Sequence, residues 1–287
     1  MTETASNITD LDHLMMAVFD HDTAIELFKH IGFTIRPVRQ LAPMGGGDAG
    51  GNGGSAAILL YSATPRCANY IEIARADPVT AQPFMKELLC QKEGPAMLVH
   101  ATADPDALAR HWRGLGYDLQ QFGFTVQPFG AGEPVNIDIV LPLPGQAPFA
   151  FNACRYSDVS DFERDEYRDH ANGARRWGGL TLAFPSDELA ATVATYTAIY
   201  NTKPISAPSG GACFQPAANS LELVSTDQYQ AAYGQWNLAP IVHIIVSDLE
   251  KTRFYFLAHD IACTDEGDRI LISPELGGGA VFLFKQG

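Results

Sequence analysis

The sequence predicts an α+β protein built from four βαβββ modules joined in two pairs. Three observations carry that expectation. An apolar strand, an acidic or Ser-Asp break and an amphipathic helix recur four times along the chain. Each helix is followed by segments with strand-like apolar runs or alternation. One charge-rich stretch then divides the copies two and two. A lone module would leave one face of its sheet in water, so the modules are expected to pair and bury it.

The first copy opens on the strand Asp12–Val18, breaks at Asp20 and continues as a helix with Ala24, Leu27, Phe28 and Ile31 on one face, ending at Gly32. The second has Ala96–Ala101, then Asp104-Pro105, a helix carrying Leu108, Trp112 and Leu115, and a stop at Gly116. The third runs Leu180–Phe184, a cap at Ser186-Asp187, then Leu189, Val193, Tyr196 and Tyr200 on the buried helix face. The fourth is Ile241–Val246, Ser247-Asp248 and a helix through Phe254 to Leu257. Ser and Asp suit these breaks because their side chains satisfy orphan N–H groups at a helix start. Strands are expected at Ala57–Tyr61 and Tyr70–Ala74, Val135–Val140 and Phe149–Phe151, Ser220–Val224, and Arg269–Ile272 and Ala280–Phe284. The boundaries that follow are a first domain at 1–157, a linker at 158–177 and a second domain at 178–287. The acids of the linker, Asp161 among them, read as a solvated surface.

Composition narrows the function. The chain of 287 residues has 33 acids against 19 bases, a formal charge of −14, and no Lys/Arg cluster. That excludes phosphate neutralisation, hence nucleic acid and acidic membrane surfaces, as the basis of its work. No apolar run approaches a spanning length. The polar N-terminus and five scattered cysteines without a C-x-x-C give the expectation of a cytoplasmic protein with reduced thiols. Leu41–Ala57 holds seven glycines and a literal G-x-G-x-x-G at Gly45, Gly47 and Gly50. No helix follows it, so it reads as a mobile loop over a site mouth or a plain disordered insertion rather than a nucleotide cradle.

Leu11-Asp12-His13-Leu14, Asp20-x-Asp22, Ile31-Gly32-Phe33-Thr34 and His170-Ala171-Asn172-Gly173-Ala174 together resemble the glyoxalase-like domain proteins of the vicinal-oxygen-chelate (VOC) superfamily. The resemblance implies two VOC domains, each of two modules. It also implies metal ligands on the first and last strands of a module, which by position are His13 and Glu72. His and carboxylate donors suit a divalent Fe, Mn, Zn or Ni ion with positions left open for two vicinal substrate oxygens. By alternation Glu72 shares a face with Tyr70 and Ala74. The other copies depart from the pattern: Met97 and Asn152 stand at the matching positions of copy two, Gly179 and Glu222 in copy three, and Ile241 in copy four with His243 two residues on. Glu222 and His243 form a second half-site.

His170 is expected to reach the cleft, completing a metal set or acting with Glu72 as a catalytic acid–base group. Arg155, Arg175 and Arg176 are candidates to clamp a substrate carboxylate. His100 falls on the wrong face and reads as core. The implied activity is metal-dependent chemistry on a small molecule with vicinal oxygens, a lyase or isomerase ahead of a ring-cleaving dioxygenase. A metal-free small-molecule binding protein is the alternative, suggested by the missing ligands, the acidic surface and the aromatics Tyr70, Trp112, Phe149, Phe151 and Trp177. A metal-independent enzyme using His and Glu as acid and base is the third reading. The expected partner is a small-molecule substrate, and the expected state a monomer or homodimer.

Overall fold

The computed structural model describes residues 7–40, 54–76, 79, 86–87, 89, 91–129 and 132–287. The glycine-rich stretch 41–53, with its G-x-G-x-x-G, and Cys90 lie outside them. The chain runs β1 (Ile8–Val18), α1 (His21–His30), β2 (Arg36–Gln40), β3 (Gly54–Leu59), β4 (Tyr70–Arg75), β5 (Gly94–Thr102), α2 (Pro105–Gly114), β6 (Leu119–Val126), β7 (Val135–Pro142) and β8 (Ala150–Tyr156). It continues through a short helix α3 (Asp165–Arg168), β9 (Ala174–Phe184), α4 (Leu189–Tyr200), β10 (Ile205–Ser206), β11 (Ala212–Phe214), β12 (Ser220–Ser225) and α5 (Thr226–Tyr233). The last elements are β13 (Ile241–Val246), α6 (Leu249–Ala258), β14 (Thr264–Asp265), β15 (Arg269–Ile272) and β16 (Val281–Gln286).

Two eight-stranded mixed sheets result, ordered β2-β3-β4-β1-β5-β8-β7-β6 and β10-β11-β12-β9-β13-β16-β15-β14. Within each module the first strand pairs parallel with the last, as β1 does with β4. The modules join through antiparallel pairs of first strands, β1 with β5 and β9 with β13. Modules one and two therefore share one sheet and modules three and four the other.

Local chemistry explains most helix starts. The Asp20 and Asp104 carboxylates accept from Thr23 N at 3.1 Å and Ala107 N at 2.9 Å, and Asp248 accepts from Glu250 N and Lys251 N. Ser186-Asp187 does not cap α4. Instead the amides of Glu188 and Leu189 both donate to Pro185 O, so a tight turn runs straight into the helix and supplies its first acceptor. Helix α5 is an addition to the modular pattern. Its Ser225/Gln228 capping box was present in the sequence as S-x-x-Q.

All four module helices lie in one continuous core shared by both sheets. Phe28, Trp112, Tyr196 and Phe256 come from the helices, with Leu14, Ile71, Leu180, Leu221 and Phe282 from the strands. Trp112, Phe151 and Trp177 belong to this core, with Phe149 packed against it, and none of them lines the cavity that holds His13. The opposite face of the first sheet carries a separate cluster with Met15, Tyr70, Met97, Val99 and Cys154. The opposite face of the second sheet is filled by α5, whose Tyr229 and Tyr233 pack with Val224, Ile241 and Leu283. No helix among the described residues is long and apolar enough to cross a membrane.

Candidate active site

The face of the first sheet turned away from the shared core lines a cavity of about 350 Å³ containing His13, Glu72, Tyr70, Asn152, Arg36 and Arg39. A volume of that order suits a small organic molecule. Much of the remaining lining is apolar, including Met97, Phe122, Phe124 and Ile137.

Two bulges assemble the polar end. The β1–β5 ladder slips between Leu11 and His13, leaving Asp12 as an extra residue. A regular strand would send Asp12 and His13 to opposite faces, whereas the bulge lets the Asp12 Oδ1 accept from His13 Nδ1 at 2.7 Å. Because a carboxylate can only accept, this bond fixes the proton on Nδ1. The Tyr156 hydroxyl donates to the same oxygen at 2.9 Å, and Ala68 N donates to Asp12 Oδ2 at 2.9 Å. His13 Nε2 is thereby aimed at the Tyr70 hydroxyl, 3.2 Å away, and at Glu72 Oε2, 3.5 Å away. The Tyr70 ring stacks on the His13 imidazole with centroids 4.1 Å apart. A second slip between Arg36 and Arg39 in the β2–β3 ladder brings two arginines, three positions apart, to the same cavity.

Burial weighs against a charged His13, but hydrogen bonds and charge from Asp12 and Glu72 outweigh it and hold the imidazole above its ordinary 6.5. Burial, then the charge of Glu72, pushes the Tyr70 phenol well up, so it stays a donor. Arg36 is held below its ordinary value by burial and next by the like charge of Arg39.

Met97 and Asn152 line the same cavity as His13 and Glu72, at the module-two positions the sequence pointed to. The parallel registers make this plain: His13 pairs with Tyr70, and Met97 with Ala150, two residues before Asn152. The donors facing the cavity from the four ligand positions are thus one imidazole and one carboxylate, joined by a thioether and an amide. Catalytic first-row metal sites use three or more His, Cys or carboxylate ligands, and this set does not meet that requirement. Among the described residues Asp12, His13 and Cys154 do place three such donor atoms within 4.8 Å of one another. Both Asp12 oxygens already accept hydrogen bonds, however, and burial followed by the Asp12 charge keeps the Cys154 thiol protonated.

Glu222 and His243 come together on the second sheet, apart from His13 and Glu72. The Thr181 hydroxyl donates to Glu222 Oε2 at 2.8 Å and accepts from His243 Nε2 at 2.7 Å. Tyr233 of α5 donates to the same Glu222 oxygen at 2.9 Å, and Ser209 bonds the other. Gly179, at the His13 position, has φ +131° and faces Ser220 so closely that no side chain fits there.

His170 lines no part of the cavity around His13. Its Nδ1 accepts from Thr34 N at 3.0 Å and its Nε2 donates to Leu59 O at 2.8 Å. Asn172 likewise donates to Ile31 O, so the His-x-Asn run ties the inter-sheet segment to module one. Arg155 pairs with Asp138 on an exposed surface, Arg176 donates to Ala218 O, and Arg175 lies over the Tyr61 ring. Asp161, read as solvated, is buried and accepts from Arg39 Nη2 at 2.5 Å and from Phe129 N at 2.7 Å. Arg36, Arg39 and Tyr156 are the site residues that sequence reasoning passed over. Alternation alone would have placed the two arginines on opposite faces.

Burial holds His170 and His100 down at about 4. His100 donates from Nδ1 to Asn152 O and accepts at Nε2 from the Tyr200 hydroxyl, tying the first sheet to helix α4. The unfolded chain binds protons near 6.5 that these folded imidazoles refuse. Their stabilisation is therefore complete above about pH 6.5 and is lost as the pH falls toward 4, by up to about 2 kcal/mol each between pH 7 and pH 5. Urea denaturation at both pH values should show the loss. His170→Gln, which can still accept from Thr34 and donate to Leu59, should reduce it. An unchanged pH dependence would remove His170 from this role.

The paired βαβββ modules, with a His and a Glu on the first and last strands of one module, define a VOC-type protein. The sequence matches the model of the glyoxalase-like domain over residues 11–198, and the chain belongs to that family. Curated proteins give no match. Among solved structures, a hypothetical protein from Staphylococcus aureus has TM-score 0.63 and 8% identity, with 96% of this chain and 99% of that one covered. A mutant of 4-hydroxymandelate synthase from Streptomyces coelicolor has TM-score 0.55 and 11% identity, over 97% of this chain and 92% of that one. A homoprotocatechuate 2,3-dioxygenase variant from B. fuscum has TM-score 0.55 and 11% identity, over 99% of this chain and 73% of that one. At these identities the likeness is one of fold.

Proposed function

We propose that the protein is a metal-independent, glyoxalase-like enzyme of the lyase/isomerase kind, acting on a small carbonyl compound in the cavity of the first sheet. The observation that carries this reading is the facing pair His13 and Glu72, 3.5 Å apart, with the Asp12 carboxylate accepting from His13 Nδ1 and holding the ring in that orientation. Glu72 takes the proton from the carbon next to the carbonyl. The His13 imidazolium, with the Tyr70 hydroxyl beside it, stabilises the oxygen on which charge develops. On a carbonyl compound with a hydroxyl on the adjacent carbon, Glu72 returns that proton to the former carbonyl carbon while His13 passes the hydroxyl proton from one oxygen to the other, which completes an isomerisation without a change of oxidation state. The apolar lining supports a second reading, a metal-free binding protein, in which the same groups only orient a ligand.

Proton exchange at the carbon beside the carbonyl of 2-hydroxyacetophenone and of 4-phenyl-2-oxobutanoate, followed by NMR in D2O, tests the proposal. Exchange above the uncatalysed rate should survive chelator treatment of untagged protein. Exchange that requires added Fe, Mn, Zn or Ni, or a full equivalent of metal that His13→Ala releases, would restore the metal-dependent reading. Saturable binding without exchange would favour the binding protein.

A further inference from the structure

Asp161 cannot satisfy both arginines of the cavity. It lies 2.5 Å from Arg39 Nη2 but 3.7 Å from Arg36 Nη1, beyond hydrogen-bond reach. Its other oxygen accepts from Phe129 N. Arg36 is only 3% exposed, and neither its Nε nor its Nη1 has a hydrogen-bond partner. The Phe129 and Phe162 rings, 5.2 and 5.0 Å from its Cζ, hold the guanidinium in place. Glu72 forms its ion pair with His13 and comes within 4 Å of neither arginine. A buried cation with idle donors is costly unless something completes it. Asn152 Oδ1, on another strand lining the same cavity, is a second buried polar atom without a partner.

From these unpaired groups we propose that the cavity binds an apolar monocarboxylate. The ligand carboxylate accepts from Arg36, a ligand hydroxyl or N–H donates to Asn152, and the apolar part lies against Met97, Phe122 and Phe124. Charge selects the monoanion. The charged groups around the cavity are Arg36, Arg39 and the His13 imidazolium against Asp161, Asp12 and Glu72, and they already balance. A monocarboxylate adds a single charge directly at Arg36, where a phosphate dianion adds two. The acidic surface of the chain thus says little about its ligand, because the pocket arginines are what a ligand meets. This assignment rests on the cavity being the site proposed above and adds the class of compound it takes.

Calorimetric titration with 4-phenylbutyrate, 4-phenylbutyramide and 4-phenylbutanol tests it. The carboxylate should bind wild type at least about tenfold more tightly than the amide or alcohol, and Arg36→Met should erase that preference. In wild type, 4-phenylbutyrate should also shift one buried Arg Nε–H NMR resonance downfield, a readout that stands even where Arg36→Met fails to fold. Equal affinity for the three probes, or a carboxylate preference retained in Arg36→Met, overturns the proposal. These are binding readouts and are independent of proton exchange. Loss of exchange activity as a finding would leave a carboxylate preference intact, and equal probe affinities would leave Glu72 as a base untouched.

Discussion

Glu72→Gln is expected to lower catalysed proton exchange by about 10²–10⁴-fold while probe binding changes little. The amide keeps the shape of the carboxylate on β4 and can still meet His13 Nε2, but it cannot take a proton. The supporting group should be separable from it. Asp12 accepts from His13 Nδ1, the Tyr156 hydroxyl and Ala68 N while fully buried. Asp12→Asn places an amide against at least one of those donors and removes the charge that helps hold His13 above its ordinary value. Its exchange rate should therefore fall together with a downward move of the imidazole titration, read directly by NMR of the His13 ring. Equal exchange in wild type and Glu72→Gln would take Glu72 out of the chemistry. An unmoved His13 titration in Asp12→Asn would do the same for the orienting role of Asp12.

Gly179→Ala is expected to destabilise the protein by more than about 4 kcal/mol, because the clash falls on backbone atoms that must move to relieve it. A Cβ there would sit 1.9 Å from Ser220 O and 2.7 Å from Ser220 N, at φ +131°. Those atoms belong to the parallel partner strand, where Gly179 is paired with Ser220. Relief requires β9 and β12 to separate. Gly178→Ala is the control, because its Cβ would meet chiefly the flexible end of Ile245 at 3.0 Å. Denaturant midpoints of the two variants give the comparison, and a cost below about 1 kcal/mol for Gly179→Ala would refute the local pairing. The same clash explains why module three holds no counterpart of His13. The histidine position of that module is occupied by a residue the backbone needs as glycine, and α5 fills the face it would serve.

Much of this molecule was legible along the chain because the determining interactions are local. Helix starts at Asp20, Asp104 and Asp248 follow from side chains that reach their own first turn. The face shared by Tyr70 and Glu72 follows from the two-residue period of a strand, and both line the cavity. The departure at Met97 could be located by counting back from Gly32 and Gly116, and the one at Asn152 from its place on the last strand of its module, whose register repeats that of module one. The family resemblance rested on the same contiguous residues.

The repeated module, its strand faces and the residue at each ligand position can therefore be read along the chain. Which of those positions meet is set by strand pairing over long sequence separations. Pairing of β1 with β5 and of β9 with β13 separates His13 and Glu72 from Glu222 and His243. The segment between the sheets spends His170 on Thr34 and Leu59 and delivers Asp161 to Arg39. The bulges at Asp12 and between Arg36 and Arg39 turn side chains that alternation would part onto one face. Each of these outcomes depends on hydrogen bonds between strands far apart in sequence. A local pattern fixes where a side chain lies on its own strand, and the partner strand fixes what it faces.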